Sequence, residues 1–87
     1  MLQDFVGQRV VVDMRSPFVC LGTLKRVDEV WLELTNADLH DLRDTQSTRE
    51  LYVAGSRATG IKRNRKRVLI SRADLVAISL LEDVVDD

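Results

Sequence analysis

The feature that most constrains this chain is the segment 10–34, where apolar residues alternate along two stretches and nearly fill a third. A period of two is typical of β-strands, because successive side chains of a strand point to opposite faces. Pro17 interrupts the pattern, since proline fixes φ and lacks the N–H group that a strand ladder needs. The segment therefore predicts three consecutive antiparallel strands, at residues 9–14, 18–27 and 30–35.

Two further apolar segments follow later in the chain, at residues 68–70 and 75–80. They predict a fourth and a fifth strand, joined by a tight reversal at residues 71–74. Gly22, in the middle of the second strand, indicates a sharp bend or a close approach of two backbones. The fold class predicted is mainly β, a five-stranded bent antiparallel barrel.

Two helices are expected outside the sheet. Apolar residues at helical spacing before Gly7 predict a short N-terminal helix that lies across one end of the barrel. The polar segment 36–60 is expected to form an insert between strands three and four. Within it, Ser47 and Glu50 have the spacing of a capping box, which favours a helix at roughly residues 48–57.

Gly60 could close that helix. An irregular excursion of the whole insert is the alternative that the sequence leaves open, because Gly55 weakens a helix by about 1 kcal/mol relative to alanine.

The length and composition predict one domain over residues 1–87. A formal net charge of −1 means that any nucleic-acid contact must come from a local basic patch. Cys20 is the single cysteine and lies in an apolar run, which indicates a buried, reduced thiol. No apolar run is long enough to cross a bilayer and no secretion signal is recognisable, so we expect a cytoplasmic location. The acidic tail at residues 82–87 is expected to fray.

Strands four and five are apolar on both faces, whereas only one face of a barrel strand points inward. Long apolar edge strands tend to pair with another chain. We therefore expect a homo-oligomeric ring, in which copies meet head to tail through residues 68–71 and 75–80. The alternative is that the insert folds back over these strands as a lid.

The spacing of these elements resembles that of the Sm and Sm-like (LSm) proteins. The matching positions of the first motif are Phe5-x-Gly7, Val10, Val12, Met14, Gly22-x-Leu24 and Asp28. The second motif is matched by Val68-Leu69-Ile70 and Leu75-Val76. Together the matching segments cover about 55 of the 87 residues.

The resemblance implies a short helix on a bent five-stranded barrel, a ring built through strands four and five, and single-stranded RNA bound around a central pore. It implies no catalytic chemistry. The chain departs from the family at the uridine pocket, where Val30-Trp31-Leu32 stands without the expected asparagine and Ser71-Arg72 replaces an Arg-Gly pair. The Tyr-Lys-His signature of the Hfq-type branch is absent as well, so the family's uridine pocket is not carried over.

Seven residues are candidates for RNA binding. They are Trp31, Lys62, Arg63, Arg65, Lys66, Arg67 and Arg72. The tryptophan could stack on a base, and the cations could contact phosphates.

Each candidate has a structural alternative. Trp31 could pack against the insert or a neighbouring subunit. Arg72 could pair with Asp74. The basic run could be a solvated strand end paired with acidic residues such as Asp41, Asp44 and Glu82.

Nothing in the chain has the spacing of a catalytic or metal site. His40 is the only histidine, and a lone histidine in a polar segment is more often solvated than a metal ligand. We therefore expect no enzyme activity, no cofactor and no membrane partner. The function predicted is a ring-forming Sm-like protein that binds single-stranded RNA through basic loops. The alternatives are an Sm-like scaffold that has lost RNA binding and a monomeric SH3-like adaptor.

Overall fold

A computed structural model describes residues 1–85 of the chain. The regular elements are β1 (Arg9–Met14), β2 (Phe18–Val27), β3 (Trp31–Asp41), α1 (Arg49–Thr59), β4 (Arg65–Ser71) and β5 (Leu75–Leu80). Short 3-10 turns occupy Leu2–Phe5, Leu42–Asp44, Arg72–Asp74 and Leu81–Asp83. None of the helices in this described part is long and apolar enough to cross a membrane.

The five strands form one antiparallel sheet in the order β4-β3-β2-β1-β5. The predicted five-stranded antiparallel architecture is confirmed. The two strands predicted to be unusually apolar, β4 and β5, are the two edges of this sheet. Each edge therefore presents a row of backbone N–H and C=O groups that the sheet itself does not pair.

The sheet bends at Gly22, where the backbones of the paired strands β2 and β3 come unusually close. A Cβ atom added to Gly22 would lie 3.0 Å from the Cβ of Ala37 and 3.1 Å from the carbonyl oxygen of Thr35, so a side chain does not fit there. Opposite it, Asn36 has a φ of 49°, and the pairing register of β2 and β3 shifts at this point. The close approach predicted at Gly22 is confirmed.

Apolar side chains cover both faces of the sheet. The inner face holds one buried cluster, formed by Val10, Val12, Cys20, Leu24, Leu32, Leu34, Ala37 and Ile70. The outer face of β1 and β2 holds a second, formed by Val11, Val19, Leu21, Val53 and Leu81. Since Val53 belongs to α1, the insert supplies the cover for the outer face of these two strands.

The insert leaves Leu69 of β4 and Val76 of β5 exposed, so the alternative of an insert that covers these two strands as a lid is wrong. Leu69 on β4 is 43% exposed and Val76 on β5 is 64% exposed. The insert packs instead on the outer face of β1 and β2, where Val53 of α1 is buried in one cluster with Val11, Val19 and Leu21.

The insert differs from its expected boundaries. β3 continues to Asp41 instead of ending at residue 35, so the first part of segment 36–60 is strand. The N-cap of α1 is Thr48, whose side chain accepts a hydrogen bond from the backbone N–H of Leu51, so the expected capping box of Ser47 and Glu50 does not form. The predicted end of the helix at Gly60 is confirmed by a φ of 99°.

The two ends of the chain pack on the sheet. The N-terminal helix is a single 3-10 turn, Leu2–Phe5, whose apolar side chains contact the inner cluster. At the other end, Leu81 is fully buried in the outer cluster and Val84 packs beside it. The expected fraying of the tail 82–87 is therefore not seen at residues 82–84, and residues 86–87 lie outside the described part.

We predict that Gly22→Ala lowers the free energy of unfolding by about 1–3 kcal/mol, because the new methyl group overpacks against Ala37. Urea unfolding followed by circular dichroism measures the change. Gly55→Ala is the matched control, since nothing lies within 4 Å of its added Cβ in the exposed middle of α1. It should raise the free energy of unfolding by about 0.5–1 kcal/mol. Equal effects of the two substitutions would contradict the account of the bend.

Candidate nucleic-acid interface

Six of the seven candidate residues lie at the two ends of β4, and Arg67 lies within the strand between them. Trp31 pairs with Ser71 at one end of the β3–β4 ladder, and Ala37 pairs with Arg65 at the other. Six residues of strand separate these pairs, a distance of about 20 Å. We call the first the turn end (residues 28–31 and 71–74) and the second the bulge end (Asn36 and residues 61–66). The sequence could not show this division, because all the cations lie within eleven residues of one another.

At the turn end, hydrogen bonds from Arg72 join the β4–β5 turn to the β2–β3 turn. The Asp28 carboxylate accepts from the backbone N–H groups of Val30 and Trp31, at 2.8 and 2.7 Å. These two N–H groups hold the pKa of Asp28 below its ordinary value. The backbone N–H of Arg72 donates to the Val30 carbonyl at 2.8 Å, and its Nη1 donates to the Asp28 carbonyl at 2.6 Å.

Arg72 therefore joins the two turns, and the alternative pairing with Asp74 is wrong. The Asp74 carboxylate instead accepts from the hydroxyl of Ser16 at 3.0 Å. Because only Nη1 of the guanidinium is engaged, Arg72 still presents donors at the surface beside Trp31.

Trp31 lies on the outer face of the sheet and is 43% exposed. It borders a shallow depression of about 170 Å³, lined by Arg26, Val27, Asp28, Trp31, Glu33 and Leu69. The tryptophan does not pack against the insert, which covers a different part of the sheet. Of the roles expected for Trp31, stacking on a base and contact with a second subunit therefore remain.

Glu33 forms the floor of this depression and is 4% exposed. One of its oxygens accepts from Nε of Arg67 and the other from Nε of Arg26, both at 2.7 Å. The hydrogen bond from Arg67 is the main reason that the pKa of Glu33 lies below its ordinary value. Arg67, expected as a phosphate ligand, therefore has a carboxylate partner in its own chain.

At the bulge end, four cations have no carboxylate within ion-pair distance in the described part of the chain. These are Lys62, Arg63, Arg65 and Lys66. The predicted acidic partners are engaged elsewhere: Asp41 pairs with Arg43 at 2.7 Å, and Glu82 pairs with Arg9 at 3.1 Å. For these four cations, the alternative of pairing with Asp41, Asp44 or Glu82 is wrong.

The structure brings one more arginine, Arg9, to this surface, where its guanidinium is already paired with Glu82. Two adjoining open depressions of about 390 and 340 Å³ share Asn36 and Arg63. Their other lining residues are Arg9, Thr23, Ile61, Asn64, Arg65 and Lys66. Arg9 was not a candidate from the sequence, because it lies more than fifty residues before the basic run and only the folded sheet brings it there.

A buried polar group positions the bulge end. Asp38 is 2% exposed and accepts hydrogen bonds from the Tyr52 hydroxyl and, at 3.1 Å, from Nδ2 of Asn64. The Asn64 side chain also bonds the backbone N–H and C=O of Leu39, at 3.0 and 3.1 Å. These bonds attach the basic loop and α1 to the same strand. Asn64 is therefore a structural residue in the middle of the basic run.

His40 and Cys20 have structural positions. The His40 ring stacks on Tyr52 with 3.8 Å between ring centroids. The Cys20 thiol is buried, as predicted, and burial raises its pKa to about 12. Within residues 1–85, no group of three His, Cys, Asp or Glu side chains is placed to hold a metal ion.

We predict that Glu33→Gln destabilises the protein at neutral pH and reduces its sensitivity to acid. Since the folded-state pKa of Glu33 lies below its unfolded value of about 4.3, its contribution is complete above that pH and is lost as pH falls through the folded-state pKa. Thermal unfolding between pH 3 and 7 measures this. Glu29→Gln, at an exposed glutamate of the β2–β3 turn, is the control. An unchanged pH profile in Glu33→Gln would contradict the paired state of this carboxylate.

Comparison with known proteins identifies the architecture. No protein-family model matches the chain, and no curated protein matches it in sequence. Among solved structures, the Sm protein of Pyrococcus abyssii, in complex with a uridine heptamer, is similar with a TM-score of 0.62 and 17% identity, over 91% of this chain and 90% of that one. An Sm-like protein of Archaeoglobus fulgidus is similar with a TM-score of 0.61 and 21% identity, over 92% and 88%. This chain therefore has the Sm fold that its motif spacing predicted.

Proposed function

We propose that this protein forms a homo-oligomeric ring that binds single-stranded RNA through its cationic bulge end, and that it acts as a binding protein without catalysis. The observation that supports this most directly is the set of four cations without carboxylate partners in the described part of the chain, three of which, Arg63, Arg65 and Lys66, line one open depression. The chain as a whole carries a formal charge of only −1. A phosphate-binding surface in such a chain requires this kind of local separation of charge.

The chemistry of the bulge end suits a phosphate backbone better than a base. Arg63, Arg65 and Lys66 supply ammonium and guanidinium donors, and Asn36 supplies an amide. The ring of Tyr52 lies 6.0 Å from the Lys62 ammonium and already stacks on His40, so it is not free to receive a base. We therefore expect contacts that depend strongly on salt and weakly on RNA sequence.

Base contacts are assigned to the turn end. Trp31 is exposed, and Arg72 presents free guanidinium donors beside it. Stacking of a base on a tryptophan contributes about 1–3 kcal/mol. The solved Sm protein with a uridine heptamer shows that this fold can hold single-stranded RNA, although the asparagine and the Arg-Gly pair of the family pocket are absent here.

The ring is supported by the two edge strands. β4 and β5 are both unpaired along their outer sides and carry the exposed Leu69 and Val76. Because they lie at opposite edges of one sheet, β4 of one copy is free to pair with β5 of the next in a head-to-tail contact, which forms a ring when the rotation between copies closes. A ring would repeat the weak bulge-end contacts in every copy, so that they add through avidity.

We predict that Arg63→Ala/Arg65→Ala/Lys66→Ala weakens binding of a fluorescent oligouridine. The slope of log affinity against log salt should become shallower by about 0.7 for each phosphate that the variant no longer neutralises. Fluorescence anisotropy at several salt concentrations measures both quantities. Trp31→Ala should instead lower affinity by a factor that varies little with salt, since stacking involves no counterion release.

The matched control is Arg15→Ala/Lys25→Ala/Arg57→Ala, which removes two arginines and one lysine from exposed positions elsewhere. It should bind nearly as the native protein does. Equal decreases in affinity for the two triple variants would show that only the total charge matters. If the native protein binds no RNA at low salt but still assembles, the scaffold function replaces RNA binding.

We predict that light scattering gives a mass several times the 9.9 kDa of one chain. Val76→Lys should shift the protein toward single chains, because a lysine on an edge strand disfavours pairing with another strand. Leu51→Lys is the control, since Leu51 is equally exposed but lies on α1. A native protein of about 10 kDa at all concentrations would contradict the ring.

A further inference from the structure

An apolar groove opens beside the β5 edge on the outer face of the sheet. It has a volume of about 160 Å³, and its apolar lining consists of Val11, Val53, Val84 and Val85. Ser79 of β5 also lines it, so the groove reaches the edge strand itself. Val85 is 75% exposed, which leaves this apolar surface open to water in a single chain.

The rim of the groove has an excess of negative charge. Asp13 and Arg49 form an ion pair across it, with 3.0 Å between Oδ1 and Nη1. Glu50, in the first turn of α1, is exposed and forms no ion pair with any described residue. One carboxylate at this rim therefore has no cation of its own among residues 1–85.

The outer row of β4 has the complementary pattern. Leu69 and Arg67 stand next to each other on this row, where they pair with Glu33 and Thr35 of β3. Leu69 is exposed, and Arg67 bonds Glu33 through Nε, which leaves its two terminal nitrogens without a side-chain partner among the described residues. An apolar side chain and a cation thus stand side by side at the β4 edge.

Antiparallel pairing of β4 with β5 of a second copy places these features together. The seven residues of β4 overlap the six of β5 most fully, with inner and outer rows continuous, when the partner's Leu69 lies opposite Ala77 and the partner's Arg67 lies opposite Ser79. Since Ser79 pairs in turn with Val11, the partner's Arg67 lies at the level of the groove.

We propose that this groove binds the outer-face side chains of β4 of a second copy. Glu50 forms an ion pair with the partner's Arg67, and the partner's Leu69 packs against the edge of the groove. The inference rests on the proposed ring and adds to it that the insert takes part in the subunit contact. Edge strands alone offer a backbone ladder that any exposed strand could join. Because Glu50 on α1 needs a cation on the strand that pairs with β5, the insert favours β4 of another copy of this chain over other edge strands.

The test is Glu50→Arg, which faces the partner's Arg67 with a like charge. We expect the protein concentration at which half the chains are assembled to rise about tenfold, measured by light scattering along a dilution series. Asp44→Arg is the matched control, since it makes the same change in charge at an exposed carboxylate of the insert outside the groove.

Val85→Lys provides a second variant, because it places a cation in the groove without touching the contact between Arg67 and Glu33. It should weaken assembly as Glu50→Arg does. A native ring that Glu50→Arg and Val85→Lys leave unchanged, or that Asp44→Arg weakens equally, overturns the groove contact and leaves the ring standing. A native protein that stays a single chain overturns the ring itself.

Discussion

The structure depends on the contact between two backbones at Gly22. Only a residue without a side chain lets β3 come this close to β2, and the approach coincides with the left-handed residue Asn36. This irregularity changes the alternation of β3: Leu32 and Leu34 point inward before it, and Ala37 and Leu39 point inward after it. The bend therefore closes the inner cluster and also decides which half of β3 faces α1.

Because of that change, Asp38 and His40 meet the insert instead of the core. A buried carboxylate is costly unless it is hydrogen-bonded, and Asp38 has both Tyr52 and Asn64 as donors. The same two bonds tie α1 and the basic loop to one strand. The insert thus has three consequences: it covers the outer face of β1 and β2, it positions the bulge-end cations, and it forms one wall of the groove beside β5.

The strands were predictable because their pattern is local. Each of the five predicted strands has a counterpart, since a period of two survives wherever one face of a strand is apolar. The second half of β3 was missed for a physical reason: beyond Asn36 its outer residues face a polar network, so it has the composition of a loop. The capping residue Thr48 lay one position from the predicted one, since Ser and Thr are both favoured N-cap residues and the two stand side by side.

The sequence was enough to predict which residues could bind RNA, but not how they are arranged in space. The cations, Trp31 and Arg72 were identifiable as groups able to hold RNA, but strand length separates them and Glu33 binds Arg67. The partner of Arg67 lies 34 residues away in the sequence, and an ion pair depends on distance in space and not on distance along the chain. The sequence by itself determined the sheet, its apolar edges and the bend at Gly22, because these depend on local pattern and backbone freedom. Only the tertiary structure decided how Arg9, Arg49 and Arg67 are neutralised and which face the insert covers, because these contacts join segments more than thirty residues apart.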